Sequence, residues 1–239
     1  MKKSMLFSAI AALLSGLFFF SCNNTAERGQ GMQEPSVNKE EAGEYAQLTG
    51  QKGEEATAMV ITNLSAAFTG EATASAKYAA YSKKAQEEGY PEIAMLFKAA
   101  STSENIHANN HRSVLEEMGV KAPDVNPSFV VKTTRENLQD AIAGETYEIT
   151  TMYPEFLANA NSANAQLALI SLNYAYKTEQ KHKPLYEKAL AALEGNQVKS
   201  LSMQYYICPT CGNTYDTTPP KRCGISMTSG ERFLKIDSI

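Results

Sequence analysis

Between residues 54 and 195, apolar and small side chains recur at helical spacing in four long stretches. The first covers residues 56–88 and stops at Gly89, and Pro91 opens the second, which runs to Met118 before Gly119. The third spans residues 132–159 and the fourth residues 164–193, closing at Gly195. Residues 121–129, with Pro123 and Pro127, form a connection long enough for a crossover rather than a tight antiparallel turn. Pro154 is expected to kink or break the third helix, and Pro184 to do the same in the fourth. The pattern predicts a mainly α protein built on a four-helix bundle over residues 56–196.

Both ends depart from that pattern. Lys2 and Lys3 precede an apolar run over residues 5–20, then Ser21 and Cys22, which reads as a secretory signal peptide at 1–21. A small residue before Cys22 and polar Asn23 and Asn24 after it resemble a bacterial lipoprotein signal, although Phe19 stands where that family usually has Leu. The resemblance implies a lipid on Cys22 and an exported, membrane-anchored protein of the cell envelope, on the periplasmic side or outer membrane. A plain signal peptide with an incidental cysteine is the alternative. Residues 22–55 are polar, lack helical periodicity and are expected to form a flexible tether. The net charge is −4, and no basic patch carries interleaved aromatics, which argues against a nucleic-acid partner.

The acids and histidines of the helical region change the picture from a bundle to a bundle with chemistry. Two of the three histidines follow a glutamate by three residues: Glu104/His107 and Glu179/His182. That spacing puts both side chains on one helix face. Taken singly, such pairs are usually solvated. Here the other two helices also carry acids near their middles: Glu71, among Ala66, Ala67, Gly70, Ala72 and Ala74, and Glu145 with Glu148 one turn on. Acids on so bland a face need a cation. Two Glu-x-x-His helices and two Glu helices make the ligand set of ferritin-like di-iron carboxylate bundles. Five carboxylates and two imidazoles suit iron or manganese better than copper or structural zinc. His111, one turn beyond His107, is read as a support to the ligands or, more simply, as an exposed residue.

Residues 200–239 hold turn residues, aromatics and three cysteines, and so small a segment needs a metal or disulfides. Cys208-Pro209-Thr210-Cys211-Gly212 has the spacing of a metal knuckle, with Gly212 turning the chain so that backbone N–H groups face the sulfurs. Tyr206, Tyr215 and Phe233 are expected to pack around it. Cys223 follows, but Ser226 stands where a second Cys-x-x-Cys needs its last cysteine, and Gly224 where Pro is usual. Iron completed by a serine oxygen, zinc, and a Cys208–Cys211 disulfide all remain open.

Taken together, NLSAAFTGEATASAKYAAY, the two Glu-x-x-His pairs, GETYE followed by MYPEF, and the Cys-Pro-x-Cys-Gly knuckle resemble rubrerythrin over residues 55–239. The resemblance implies a ferritin-like four-helix bundle followed by a small rubredoxin-like domain. It implies a non-haem di-iron peroxidase that reduces hydrogen peroxide to water in oxidative stress defence. Glu71, Glu104, Glu145 and Glu179 are then core carboxylate ligands, and His107 and His182 the imidazoles. Glu148 is the extra carboxylate that exchanges with His107 as the oxidation state changes, and Tyr78 and Tyr153 are hydrogen-bond donors near the irons. Cys208, Cys211, Cys223 and Ser226 hold a third metal, iron or zinc, that passes electrons in. The implied partners are an electron donor, a reductase or a rubredoxin, and a second copy of the chain whose C-terminal centre approaches the first chain's bundle. A ferroxidase or iron store on the same site is the alternative. A helical lipoprotein whose acids are only solvated charges is the reading from a different class.

Overall fold

A computed structural model describes residues 39–239. The expected signal segment, Cys22 and the first part of the tether lie outside the described residues. Residues 43–239 form one compact unit. Helix α1 spans Lys39–Glu87, so the expected tether gives way to helix from Lys39 onward. Its early residues include good helix formers such as Lys39, Glu40, Glu41 and Ala42, but no apolar stripe marks them. Gly89, at φ +83°, closes the turn after α1, and Tyr90 N–H reaches back to the Ala85 carbonyl. Helix α2 (Pro91–Glu117) follows at once. A long irregular connection then leads to α3 (Thr134–Tyr147), which opens on a capping box between Thr133 and Glu136.

The third helical stretch does not break at Pro154. It widens instead into a π-turn over Glu148–Met152 and continues as α4 (Tyr153–Ser162). Proline has no N–H to donate and crowds the carbonyl one turn back. The helix accommodates this by slipping one residue, so that Tyr153 N–H donates to the Glu148 carbonyl five positions earlier. After a short turn comes α5 (Gln166–Glu194), which runs unbroken through Pro184, against expectation. It packs against α2, α3 and α4.

The C-terminal segment forms an antiparallel sheet in the order β2-β1-β3: β1 Tyr205–Ile207, β2 Thr214–Tyr215 and β3 Leu234–Ile236. Tyr206 faces Tyr215 on one side and Lys235 on the other. Strand β1 lies against α2, and Tyr205 and Ile207 enter the same core as Phe97, Leu138 and Tyr186. The segment therefore borrows the bundle's core rather than building its own. Phe233 packs on the cysteines and beside Tyr215, whereas the Tyr206 hydroxyl pairs with Gln204.

A second core, around Val60, Leu64, Leu115, Tyr153 and Leu172, fills the other end of the bundle. Along α1, α2 and α5, the acid falls between the residues of the two cores. Among the described residues, no helix is long and apolar enough to cross a membrane. Phe97, fully buried among Tyr78, Tyr81 and Tyr186, anchors the first core. Phe97→Ala is expected to cost about 3–5 kcal/mol in urea denaturation; a loss under about 1 kcal/mol would show that this core is not continuous.

Candidate metal centre

Four helical segments deliver six buried ligand groups to one place. Glu71 comes from α1, Glu104 and His107 from α2, Glu145 from α3, and Glu179 and His182 from α5; all are at most 2 % exposed. They form two overlapping clusters: Glu71, Glu104, His107 and Glu179, and Glu104, Glu145, Glu179 and His182. Glu104 places Oε2 at 2.9 Å from His107 Nδ1 and Oε1 at 3.1 Å from His182 Nδ1. Glu179 does the same, with Oε1 at 2.9 Å and Oε2 at 2.7 Å. Each of these two carboxylates thus serves both clusters, one oxygen apiece. Glu71 and Glu145 each serve one, at 3.5 and 3.8 Å from the nearer imidazole.

The donor atoms crowd into one small space, within 4.8 Å of one another in each cluster. His107 Nδ1, His182 Nδ1, both oxygens of Glu179, and Oε2 of Glu71, Glu104 and Glu145 are buried and make no aligned hydrogen bond. Orphaned polar atoms in such number are very costly in a protein interior. Burial raises Glu71 to about 7, partly offset by His107, and raises Glu145 well above the usual carboxylate range, with Glu179 and Glu148 adding repulsion. Burial works against protonating His182, but Glu104 and Glu179 outweigh it and raise its pKa to about 10. The cluster calls for positive charge. Two metal ions of the iron type, each with oxygen donors and one nitrogen, fit it.

The remaining atoms of the ligands are held from outside. Tyr78 donates to Glu145 Oε1 at 3.2 Å, and Tyr153 donates to Glu71 Oε1. Burial, reinforced by those same carboxylates, raises both phenols well above their usual range, so they remain protonated donors. Glu148, at the start of the π-turn, is half-buried and lies outside both clusters. Burial, then Glu71 and Glu179, push its carboxyl well upward.

The outward nitrogens of both ligand histidines meet the C-terminal segment. His107 Nε2 donates to the Cys211 carbonyl at 3.1 Å, and His182 Nε2 donates to Thr214 Oγ1 at 3.0 Å. Such outer partners fix each ring's tautomer and leave Nδ1 free to bind metal. Thr178 also donates to the Cys211 carbonyl, and Ser103 to that of Gly212. Gly212 sits at φ +76°, and a Cβ there would lie 2.4 Å from His107 Nε2. Only glycine lets the knuckle come this close.

Cys208, Cys211 and Cys223 cluster as free, buried thiols. Backbone N–H groups do face the sulfurs: those of Thr210 and Cys211 point to Cys208, and those of Ile225 and Ser226 to Cys223. Gly212 N–H itself closes the knuckle on the Cys208 carbonyl. Ser226 Oγ lies 3.2 Å from Cys208 Sγ and 2.9 Å from Thr228 Oγ1, so the serine oxygen sits beside the three sulfurs.

The family model for rubrerythrin matches residues 62–190, which includes every ligand of the helical clusters. The chain belongs to the rubrerythrin family. Among similar proteins, rubrerythrin-2 of Clostridium acetobutylicum is 34 % identical over 177 residues, covering 74 % of this chain and 96 % of that protein. Nigerythrin of Nitratidesulfovibrio vulgaris is 30 % identical over 180 residues, covering 74 % of this chain and 87 % of nigerythrin. The structure of fully reduced, all-ferrous nigerythrin superposes with a TM-score of 0.66 at 30 % identity, over 74 % of this chain and 86 % of that one. A bacterioferritin from Rhodobacter capsulatus, at 20 % identity and a TM-score of 0.54, shares the fold.

This rubrerythrin-family site holds one residue that the sequence reading misplaced. His111 is fully buried, not exposed, and touches Tyr153 and Ser171. Its one-turn spacing from His107 was the available signal. The sharing of carboxylates makes a test. Glu179→Ala removes a donor from both clusters and is expected to leave well under one iron per bundle. Glu145→Ala removes one donor from one cluster and should leave about one. Iron analysis on protein made with ample iron checks this; equal losses would contradict the shared arrangement.

Proposed function

We propose that this protein reduces hydrogen peroxide to water at a di-iron centre in the bundle, as a defence against oxidative stress. The balance is one peroxide, two protons and two electrons to two waters. When bound, the iron pair supplies the two electrons by passing from ferrous to ferric. The bundle's residues do the rest. Glu104 and Glu179 hold the two metal positions together, the buried cores exclude water, and Tyr78 and Tyr153 offer O–H donors from opposite ends of the site. Glu148 would be the reserve carboxylate that exchanges with the His107 imidazole, and the burial and neighbouring acids that raise its carboxyl support that role.

The observation that carries this reading is the His107 Nε2 to Cys211 carbonyl hydrogen bond. It joins a metal-binding cysteine to a di-iron ligand through one residue, a route for electrons that an iron store does not need. The C-terminal site is proposed to hold iron through Cys208, Cys211, Cys223 and the Ser226 oxygen, with zinc as the competing occupant. An external donor, a reductase or a rubredoxin, supplies the electrons. Export, a lipid on Cys22 and a homodimer belong to the same proposal, although the His107 route lies within one chain.

The second reading, a ferroxidase or iron store, is favoured by Ser226, because an oxygen in place of a fourth thiolate weakens electron entry. The two separate on turnover. The diferrous protein is expected to be re-oxidised faster by hydrogen peroxide than by dioxygen in stopped flow, and to sustain turnover with an added donor. Accumulation of many irons per chain without turnover would favour the store. Ser226→Cys should raise iron occupancy of the C-terminal site and its reduction potential, read by metal analysis and redox titration. Unchanged occupancy would remove Ser226 from the ligand set.

A further inference from the structure

His111 is the one histidine in the chain outside the metal clusters. It lies in α2 with no exposed surface. Its Nδ1 is 2.8 Å from Ser171 Oγ on α5, and its Nε2 is 3.3 Å from the Tyr153 hydroxyl at the end of the π-turn. Tyr153 has a single proton, and it goes to Glu71. The Tyr153 oxygen can therefore only accept from His111, which must carry its hydrogen on Nε2. Nδ1 is then the acceptor, and Ser171 O–H donates to it. The direction of every bond in the chain Ser171, His111, Tyr153, Glu71 follows from that one proton. Burial, with the neighbouring His107 adding to it, lowers the His111 pKa to about 3, which keeps the ring neutral and the order intact.

Tyr153 directly follows the widened turn, and Glu71 alone holds only the donor side of its hydroxyl. His111 fixes the acceptor side from a different helix, and Ser171 fixes His111 from a third. We propose that His111, backed by Ser171, is a positioning residue that keeps the Tyr153 O–H aimed at Glu71 and the metal-facing space, where peroxide is reduced. The inference rests on the proposed peroxide reduction for its rate effect and on geometry alone for its structural effect.

The test uses the full-length, iron-loaded protein and compares His111→Leu, which deletes the donor, with His111→Gln, which retains one. Both are expected to keep two irons in the bundle. His111→Leu should slow the limiting rate of re-oxidation of the diferrous protein by hydrogen peroxide about tenfold, as for loss of one buried hydrogen bond. The half-saturating peroxide concentration should stay unchanged, and His111→Gln should recover most of the rate. In a Tyr153→Phe background the same His111→Leu change should have almost no further effect, because its target is gone. A crystal structure of iron-loaded His111→Leu should show the Tyr153 oxygen shifted away from Glu71 Oε1 relative to wild type.

An equal slowing in the Tyr153→Phe background, or no recovery with Gln at full iron content, would overturn the positioning role. If His111→Leu loses iron or fails to fold, Ser171→Ala takes its place, with a few-fold slowing that Tyr153→Phe again abolishes; persistence of that slowing overturns the proposal. If wild-type protein is not re-oxidised by peroxide at all, the peroxidase reading fails by itself. The positioning role is then decided by the Tyr153 to Glu71 contact in the crystal and by the rate with dioxygen.

Discussion

Everything in this protein is arranged around four carboxylates and two imidazoles that share one dry space between two hydrophobic cores. Burying that many acids is among the least favourable things a fold can do without a cation. The helices bring them in nevertheless, with their donor atoms crowded together and without aligned hydrogen bonds. The two Glu-x-x-His turns place a carboxylate and an imidazole side by side on each of α2 and α5. Metal binding and the stability of the bundle's middle are therefore one property seen twice. The cation that completes the site also removes the strongest repulsion in the fold.

The C-terminal segment is part of that arrangement and not an appendage to it. Strand β1 contributes Tyr205 and Ile207 to the first core, which a segment of this size could not supply for itself. In return, Cys211 and Thr214 accept the outward hydrogen bonds of both ligand histidines. Gly212 makes the approach possible by having no side chain. The same few contacts thus orient the imidazoles and join the cysteine knuckle to both histidines.

The clustering of six of the seven expected helical ligands was legible in the sequence because metal chemistry demands residue types that helical spacing then displays. Glu71, Glu104, His107, Glu145, Glu179 and His182 all meet as their positions suggested. Features without a sequence period were not legible. The helix over the residues from Lys39 to the bundle has no apolar stripe to announce it. Pro154 and Pro184 look alike in sequence, yet one follows a widened turn and the other sits inside a regular helix. The π-turn begins at Glu148, one turn after Glu145, and carries the chain on to Tyr153. His111 was misplaced for a related reason. Its burial depends on Ser171 and Tyr153, which arrive from distant parts of the chain.

The central claim is that two metal ions share Glu104 and Glu179, with a third ion held beside them by the cysteines of the same chain. Anomalous scattering at the iron edge, from crystals of protein produced with ample iron, tests it directly. The account predicts two iron peaks in the bundle, each beside one of His107 and His182 and both touching Glu104 and Glu179. It predicts a third metal peak among Cys208, Cys211 and Cys223, with its strength across the iron and zinc edges naming the occupant. A single peak in the bundle, or none in contact with Glu104 and Glu179, would contradict it.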